Sequence, residues 1–577
     1  MKSLRRLLPY LRRRRGGIAR GLVCLLVTTA LSVASPWVLR YAVDDLAAEL
    51  TRQKLWLYAA LIVSLVLTEG VFRYFMRTIL IGISRELEYE LRNDVFRHLT
   101  LLPTRYYQEH RIGDLMSRAT NDLSAVRMVL GPGIMYTANT GATFVAAVAL
   151  MAAISPFLLF LSLLPLVIVS VLVRYAGRRI HDRFEEVQEQ LSTITATAQE
   201  SFSGIRVVRA YAQEPHEEER FAEANREFLR RNQRLIRLFG SLYPGIQLLM
   251  GLGALTVLWL GGSMVVRGAI SLGEFVAFST YLAMLHWPMI ALGWVVNIFE
   301  RSEASMGRLV EILDAPPEID DRAAKEALAI RGDVEFRALS FGYDGTPVLK
   351  DIDLHVPAGR TVAIVGPTGS GKTTLVSLLP RLFEAPPGTV LVDGRDVREI
   401  PLATLRGAVG FVPQETFLFS DTVGGNVAFG VATDGKERVE WAAGVAQLAK
   451  DVGDFPKGYD TVVGERGITL SGGQKQRAAL ARALAVEPRI LVLDDSLASV
   501  DTETEEQILQ GLRDVRAGRT TFLVSHRVST VKDADLIVVL REGRLVERGS
   551  HEELLARGGF YAELHRRQLL EREVETA

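Results

Sequence analysis

The sequence predicts an all-α polytopic membrane domain of six transmembrane helices with long cytoplasmic extensions, followed by an α/β domain. Three observations predict it. The 577 residues are too many for a single hydrophobic core. Apolar residues make up 48% of the chain and charged residues 23%, and the two are segregated, with long apolar runs confined to the first ~300 residues. From Val334 onward, strand-like apolar runs alternate with helix-like periodic ones.

A helix that crosses a bilayer needs about 20 mostly apolar residues. The stretches 18–42, 55–80, 130–154, 157–174, 239–266 and 274–300 meet or approach that length. Only Ile154-Ser155-Pro156 separates the third from the short fourth, which predicts a tight helical hairpin. Lys2, Arg5, Arg6 and Arg12 to Arg15 precede the first run. A secretory signal shares such a start, but no cleavage-like site follows and five further apolar runs do, so the first run reads as a transmembrane helix.

Loop charge orients the set. The arginine-rich N-terminus belongs in the cytoplasm. The outer turns are then Asp44 to Lys54, Ser155-Pro156 and Arg267 to Gly273, all short and poor in Lys and Arg. The inner connections, about 81–129 and 175–238, are long and rich in Arg. The expected location is the inner (plasma) membrane, with the C-terminal domain cytoplasmic. Both inner connections keep helical spacing, so they read as helices running far past the membrane, with interruptions at Thr104 to Gly113 and around Ser203-Gly204. Residues 1–315 form the membrane domain. Asp314-Ala315-Pro316-Pro317-Glu318 breaks the helical pattern and opens a linker at 316–333, and 334–577 form the second domain.

Some polar residues fall inside the spans. Glu69, Arg73 and Arg77 recur every fourth residue and share a helix face. That face is either an ion-paired stretch reaching for the interface or the wall of a water-filled cavity. His286 and Trp287 face such a cavity or pack between helices. Pro36, Pro165, Pro244 and Pro288 are candidate kinks. Acidic and basic residues number 67 each, which argues against nucleic acid as the main partner. Cys24 is the only cysteine, so no intrachain disulfide forms.

The second domain carries the chemistry. The strand-like Thr361-Val362-Ala363-Ile364-Val365 leads into Gly366-Pro367-Thr368-Gly369-Ser370-Gly371-Lys372-Thr373, and a periodic helix begins near Thr374. This is a G-x-x-x-x-G-K-T phosphate loop in strand–loop–helix context. Its glycines let backbone N–H groups converge on phosphate oxygens at a helix N-terminus, Lys372 supplies a charge to the terminal phosphates, and Thr373 offers a hydroxyl to Mg²⁺. The domain is thus an α/β P-loop nucleotide-binding domain, with ATP and Mg²⁺ as cofactors. Ile490-Leu491-Val492-Leu493-Asp494 reads as a buried strand whose Asp494 holds Mg²⁺ through water. Leu470-Ser471-Gly472-Gly473-Gln474 opens an Ala/Leu-rich helix and offers a second anion-binding helix start. The phosphate loop already serves this chain's own nucleotide, so the second start suits a nucleotide held by another copy of the domain. The charged run Arg566 to Glu575 reads as a solvated end.

Over nearly its whole length the chain resembles ATP-binding cassette (ABC) exporters, as a half-transporter with six membrane helices ahead of one nucleotide-binding domain. Leu-Ser-Gly-Gly-Gln is that family's signature. The resemblance implies that Tyr343 stacks on adenine and that Gln414 contacts Mg²⁺ and faces the membrane domain. It implies a coupling-sensing loop at Val463 to Gly467, a D-loop around Asp501, and a switch role for His526 at the γ-phosphate. It places coupling helices near Arg111 to Arg118 and Ser201 to Tyr211. Family members sandwich two ATP molecules between two nucleotide domains, so a second ABC half-transporter is implied. The other expected partners are membrane lipid and a hydrophobic or amphipathic substrate, which is a small molecule, a lipid or a peptide.

One position departs from the pattern. The family carries Glu after the metal-binding Asp to help an attacking water, and this chain carries Asp495. A carboxylate pulled back by about 1.5 Å reaches that water poorly, since positioning precedes pKa. With an intact signature, the chain is similar to MdlA-type and TmrAB-type subunits of unequal pairs. A heterodimer with a slow site on this chain is therefore the favoured expectation. The alternatives are a homodimeric lipid flippase or exporter, and a non-pumping ATP-gated channel or regulator.

Overall fold

The computed structural model describes residues 3–576 apart from 327–328, 344, 432–434, 465–466 and 468. Of the Val463 to Gly467 loop, Glu465 and Arg466 lie outside the described residues. The chain divides into two compact units. One comprises Met1–Leu99 and Gly113–Asp314, the other Thr100–Ile112 and Ala315–Ala577.

Among the described residues, six helices are long and apolar enough to cross a membrane: α1 Arg15–Ala48, α2 Arg52–Leu101, α3 Ile112–Ile154, α4 Pro156–Ser203, α5 Glu214–Val266 and α6 Leu272–Asp314. Each contains one of the expected spans. The short fourth span belongs to a helix of 48 residues, because the polar sequence after Arg174 keeps helical spacing as far as Ser203, with the single Gly177 tolerated inside the helix. Ser155 caps α4 by accepting from the Leu158 amide at 3.2 Å, which closes the predicted hairpin.

The cytoplasmic interruptions are also present. α2 ends before Pro103, whose ψ of 160° is extended, and a separate six-residue helix follows at Thr104–Glu109. That helix lies upstream of the Arg111 to Arg118 stretch expected for it, most of which instead forms the start of α3. Proline 103 stops the helix earlier than the glycine at 113 would. The second short helix, Ile205–Ala210, falls inside the expected Ser201 to Tyr211.

Proline also shapes α6, which is interrupted at Leu285, three residues ahead of Pro288. The pyrrolidine ring excludes a regular turn there by clashing with the carbonyl four residues back. A core of Val33, Met151, Leu158, Phe278, Tyr281 and Leu285 ties α1, α3, α4 and α6 together. The Tyr281 hydroxyl donates to the Val33 carbonyl at 2.7 Å. By contrast, apolar side chains along the outer half of α2, such as Leu57, Val63 and Leu67, remain exposed, as suits a surface in lipid.

The second unit is built on two sheets. β1 Val334–Tyr343, β2 Thr346–Val356, β4 Val390–Val392 and β5 Arg395–Asp396 form an antiparallel sheet in the order β2-β1-β4-β5. The other sheet runs β10-β9-β3-β8-β7-β6, from β3 Thr361–Val365, β6 Val409–Val412, β7 Ile490–Asp494, β8 Thr520–Val524, β9 Leu536–Arg541 and β10 Arg544–Gly549. Its strands are parallel except for the β9–β10 hairpin. Every residue of β3, β7 and β8 is buried, as continuous apolar runs in a sheet covered on both faces require.

Candidate functional site

Ligands of open parallel sheets bind beyond the carboxyl ends of the strands. Strand register brings the expected residues to that edge. Asp494 stands opposite Val524, and Val524 opposite Ile364. The loop starting at Gly366, the pair Asp494-Asp495 and the segment Ser525-His526 therefore emerge side by side. Gln414 lies two residues past β6, whose Val412 pairs with Leu493. Together these segments enclose a cleft of about 310 Å³, lined by Gly366, Thr368, Gly369, Gly371, Lys372, Thr373, Thr374, Gln414, Asp494, Asp495 and His526 among others.

Two glycines make the loop possible. Gly366 adopts φ +158° and Gly371 φ +102°. A Cβ on Gly366 would meet the Leu540 carbonyl oxygen at 2.1 Å, and one on Gly371 the Leu349 side chain at 2.8 Å. The loop opens α7, Lys372–Ser377. The Lys372 ammonium donates to the carbonyls of Gly366 and Pro367, both at 2.9 Å. Burial pushes its pKa down, and the charges of Asp495 and Asp494 oppose that shift. Pro367 and Ser370 do not line the cleft. The buried Ser370 hydroxyl has no hydrogen-bond partner among the described residues.

Asp494 is 1% exposed, and neither carboxylate oxygen has a hydrogen bond of normal geometry among the described residues. Burial raises its pKa above the usual carboxylate range, and the charge of Asp495 adds to this. Thr373 and Lys372 pull it back. A buried carboxylate without donors, facing a threonine hydroxyl and a lysine across a phosphate-sized cleft, fits a hard divalent cation. Asp495 has φ +47°, a conformation aspartate tolerates better than most residues. Its amide donates to the Val524 carbonyl at 2.9 Å, and its carboxylate shares a 3.0 Å hydrogen bond with His526 Nδ1.

Tyr343 stands at the end of β1 beside the cleft rather than in its lining. Its ring packs edge-on against Phe341 and Phe383, and its hydroxyl lies 3.2 Å from Thr374 Oγ1. The Ser471 to Gln474 segment lines none of the cleft. Ser471 and Gln474 form a reciprocal capping box at the start of α8, Gly472–Ala485. Gln474 also donates to Asp451, which pairs with Arg477 at 2.6 Å. Asp501 caps α9, Thr502–Arg516, by accepting from the Thr504 amide at 2.8 Å, which lowers its pKa. Gln476 accepts from the Ser499 amide at 2.9 Å and so joins the signature helix to the Ser499–Asp501 loop.

Sequence reasoning missed how the His526 segment is held. Gln568, on the terminal helix α10 Phe560–Thr576, donates to the His526 carbonyl at 2.7 Å and accepts from the Val528 amide at 2.9 Å. Arg527 bonds the buried Glu505 and the Ala498 carbonyl, and Thr530 donates to Glu505 at 2.5 Å. The run at 566–575 is thus more than a solvated end. A lone glutamine facing the core side of a charged helix was the only signal.

Comparison with known proteins agrees with this geometry. Residues 18–289 match the family described as "ABC transporter transmembrane region", and residues 349–498 match "ABC transporter". The chain is 38% identical over 553 residues to the probable multidrug resistance ABC transporter ATP-binding/permease protein YheI of Bacillus subtilis, covering 95% of this chain and 94% of that protein. It is 35% identical over 562 residues to the multidrug resistance-like ATP-binding protein MdlA of Escherichia coli, covering 96% and 95%. It is 34% identical over 584 residues to an ATP-dependent lipid A-core flippase of Syntrophus aciditrophicus, covering 100% and 96%. The solved structure of a bacterial Atm1-family ABC exporter with ATP bound is similar with a TM-score of 0.80 and 31% identity, covering 97% of this chain and 98% of that one.

Proposed function

The chain belongs to the ABC transporter family as a half-transporter with fused membrane and nucleotide-binding domains, and from that premise we propose that it works in a heterodimer whose slower ATP site is its own. As an ABC exporter it binds ATP, couples ATP hydrolysis to export of hydrophobic substrates, and spans the membrane with its nucleotide-binding domain in the cytoplasm. Exporters of this family work as dimers.

Asp495 carries the proposal. Its backbone is fixed by the bond to Val524, so its short side chain cannot be compensated by a sliding main chain. Its carboxylate is already engaged by His526. A water-orienting role for Asp495 on the γ-phosphate side is therefore weak, because misplacement of about 1 Å costs about 10²-fold. The signature offers support of another kind. Ser471 and Gly472 are exposed and lie outside this chain's own cleft, where they are free to complete a partner's site.

Lys372 and the loop amides of Gly366 and of Thr368 to Thr373 hold the phosphates, Tyr343 meets the base, and Asp501 orders the D-loop. Mg²⁺ would be held by Thr373 and Asp494 with Gln414, where it would neutralise phosphate charge. His526 holds its place beside Asp495 through Gln568. A homodimeric exporter or flippase is the second reading. It is favoured by His526, which the chain retains within the cleft.

The test is to tag the full-length chain, purify it from the membrane of its source organism, and identify what accompanies it. The proposal expects a second half-transporter in equal amount, with Glu after its own metal-binding Asp and an altered signature. Recovery of this chain alone as a dimer would overturn it.

A further inference from the structure

The first unit contains a second cavity, of about 170 Å³, placed among the membrane helices. α1 contributes Thr28 and Ser32, α2 contributes Glu69 and Arg73, and α3 contributes Asn139 and Thr143. Of the polar face expected on α2, Glu69 and Arg73 thus reach the cavity, while Arg77 does not line it. Glu69 and Arg73 are ion-paired with each other. The two charges are unequally placed. The Glu69 side chain is 12% exposed and that of Arg73 51%, so the carboxylate is fixed inside while the guanidinium can swing.

A neighbouring cavity of about 420 Å³ is nearly all apolar and includes Phe144, Val145 and Val295. The two share Thr140 and Pro288, next to the break in α6. Thr140 is 4% exposed, and its hydroxyl has no hydrogen-bond partner among the described residues. Thr28 and Thr137 behave differently, each donating to the carbonyl four residues back in its helix. A buried hydroxyl left unbonded at the junction of a polar and an apolar cavity is a group awaiting a ligand.

We propose that the paired-charge cavity is the head-group subsite for a zwitterionic amphiphile, whose apolar tail lies in the adjoining cavity. The inference rests on the reading of the chain as an exporter of amphipathic compounds, and it names the class of head group. The argument is one of charge balance. An intramembrane charge is costly unless paired. A ligand of single charge that takes one member of the Glu69–Arg73 pair strands the other. A ligand carrying both signs replaces one internal pair with two intermolecular pairs and strands neither. The Thr, Ser and Asn side chains around the pair bond a polar head of either sign, so they do not by themselves choose one.

The test uses the purified full-length chain in amphipol without ATP. Four radiolabelled probes share a dodecyl tail: dodecylphosphocholine, dodecyltrimethylammonium, dodecyl sulfate and dodecyl maltoside, each below its micelle concentration. Equilibrium dialysis should give a Kd for dodecylphosphocholine about tenfold or more below the other three. Arg73→Gln should shift the preference to dodecyltrimethylammonium, and Glu69→Gln should shift it to dodecyl sulfate. A misfolded variant cannot gain affinity for one probe while losing it for another. Equal affinity for all four heads, or a zwitterion preference that survives both substitutions, would overturn the proposal. Because binding is read without ATP, failure of the chain to hydrolyse ATP even after assembly with its partner half-transporter, with intact head-group selectivity, would refute the export reading alone. Intact ATPase activity of the assembled pair without head-group selectivity would refute the subsite alone.

Discussion

Asp495→Glu restores the one methylene that separates this chain from its family pattern. It extends the carboxylate by about 1.5 Å. Nothing else at the site needs to move. β7 is wholly buried, and the residue 495 amide stays bonded to the Val524 carbonyl at 2.9 Å. If about 1 Å of misplacement costs about 10²-fold, the substitution lowers the activation barrier at this site by up to about 2.7 kcal/mol. The left-handed φ of +47° offsets part of the gain, since glutamate lacks the local tolerance of aspartate there, at about 1 kcal/mol. The net expectation is a turnover increase of up to about twentyfold at this chain's own site, with ATP affinity unchanged because Lys372 and Thr373 are untouched. The assay pairs the variant with a partner whose own catalytic carboxylate has been removed and measures single-turnover hydrolysis of radiolabelled ATP. An unchanged rate at full nucleotide occupancy would refute the reasoning.

Other expectations follow from the same geometry. Lys372→Ala should weaken ATP binding by about 10²-fold, because the half-buried cation of the phosphate loop is lost; nucleotide titration reads this. Gly473→Val should leave ATP binding to this chain intact and abolish hydrolysis at the partner's site, since its Cβ would meet the Ser499 carbonyl oxygen at 3.1 Å; site-specific nucleotide trapping distinguishes the two. Gln568→Ala removes two hydrogen bonds from the His526 segment, each contributing about 1 kcal/mol. It should lower kcat several-fold with KM unchanged, while Gln568→Glu, which keeps the acceptor, loses less. Asp494 must be ionised to hold a cation, and its pKa is raised. Mg²⁺-dependent ATP binding should therefore fade on acidification before the ordinary carboxylate range is reached. Chelation at neutral pH should mimic the loss, and a flat pH profile would contradict it.

The sequence made some of this legible and hid the rest for physical reasons. Gly366 to Thr373 could be read because the loop is contiguous and each glycine answers a local steric demand. Six spans could be read because bilayer thickness sets a length. The interruptions at Thr104 to Gly113 and around Ser203-Gly204 were visible as breaks in the helical pattern, but the weight of Pro103 was not, and the short helix that follows it lies upstream of the expected Arg111 to Arg118. The cavity of Glu69 and Arg73 was only half legible. Their shared face follows from helical period, whereas Thr28, Asn139 and Thr143 come from other helices and meet them only in the packed bundle. Gln568 was hidden for the same reason, lying 42 residues from the histidine carbonyl it binds. Asp495 was legible as a substitution, yet its tie to His526 required the fold.

The most direct measurement is the ATPase activity of the purified full-length chain alone in lipid, with its oligomeric state determined in the same sample. The unequal-site account predicts hydrolysis near background, little changed by Asp495→Ala, and a strong rise on adding the partner half-transporter. Brisk hydrolysis by a pure homodimer, abolished by Asp495→Ala, would contradict it.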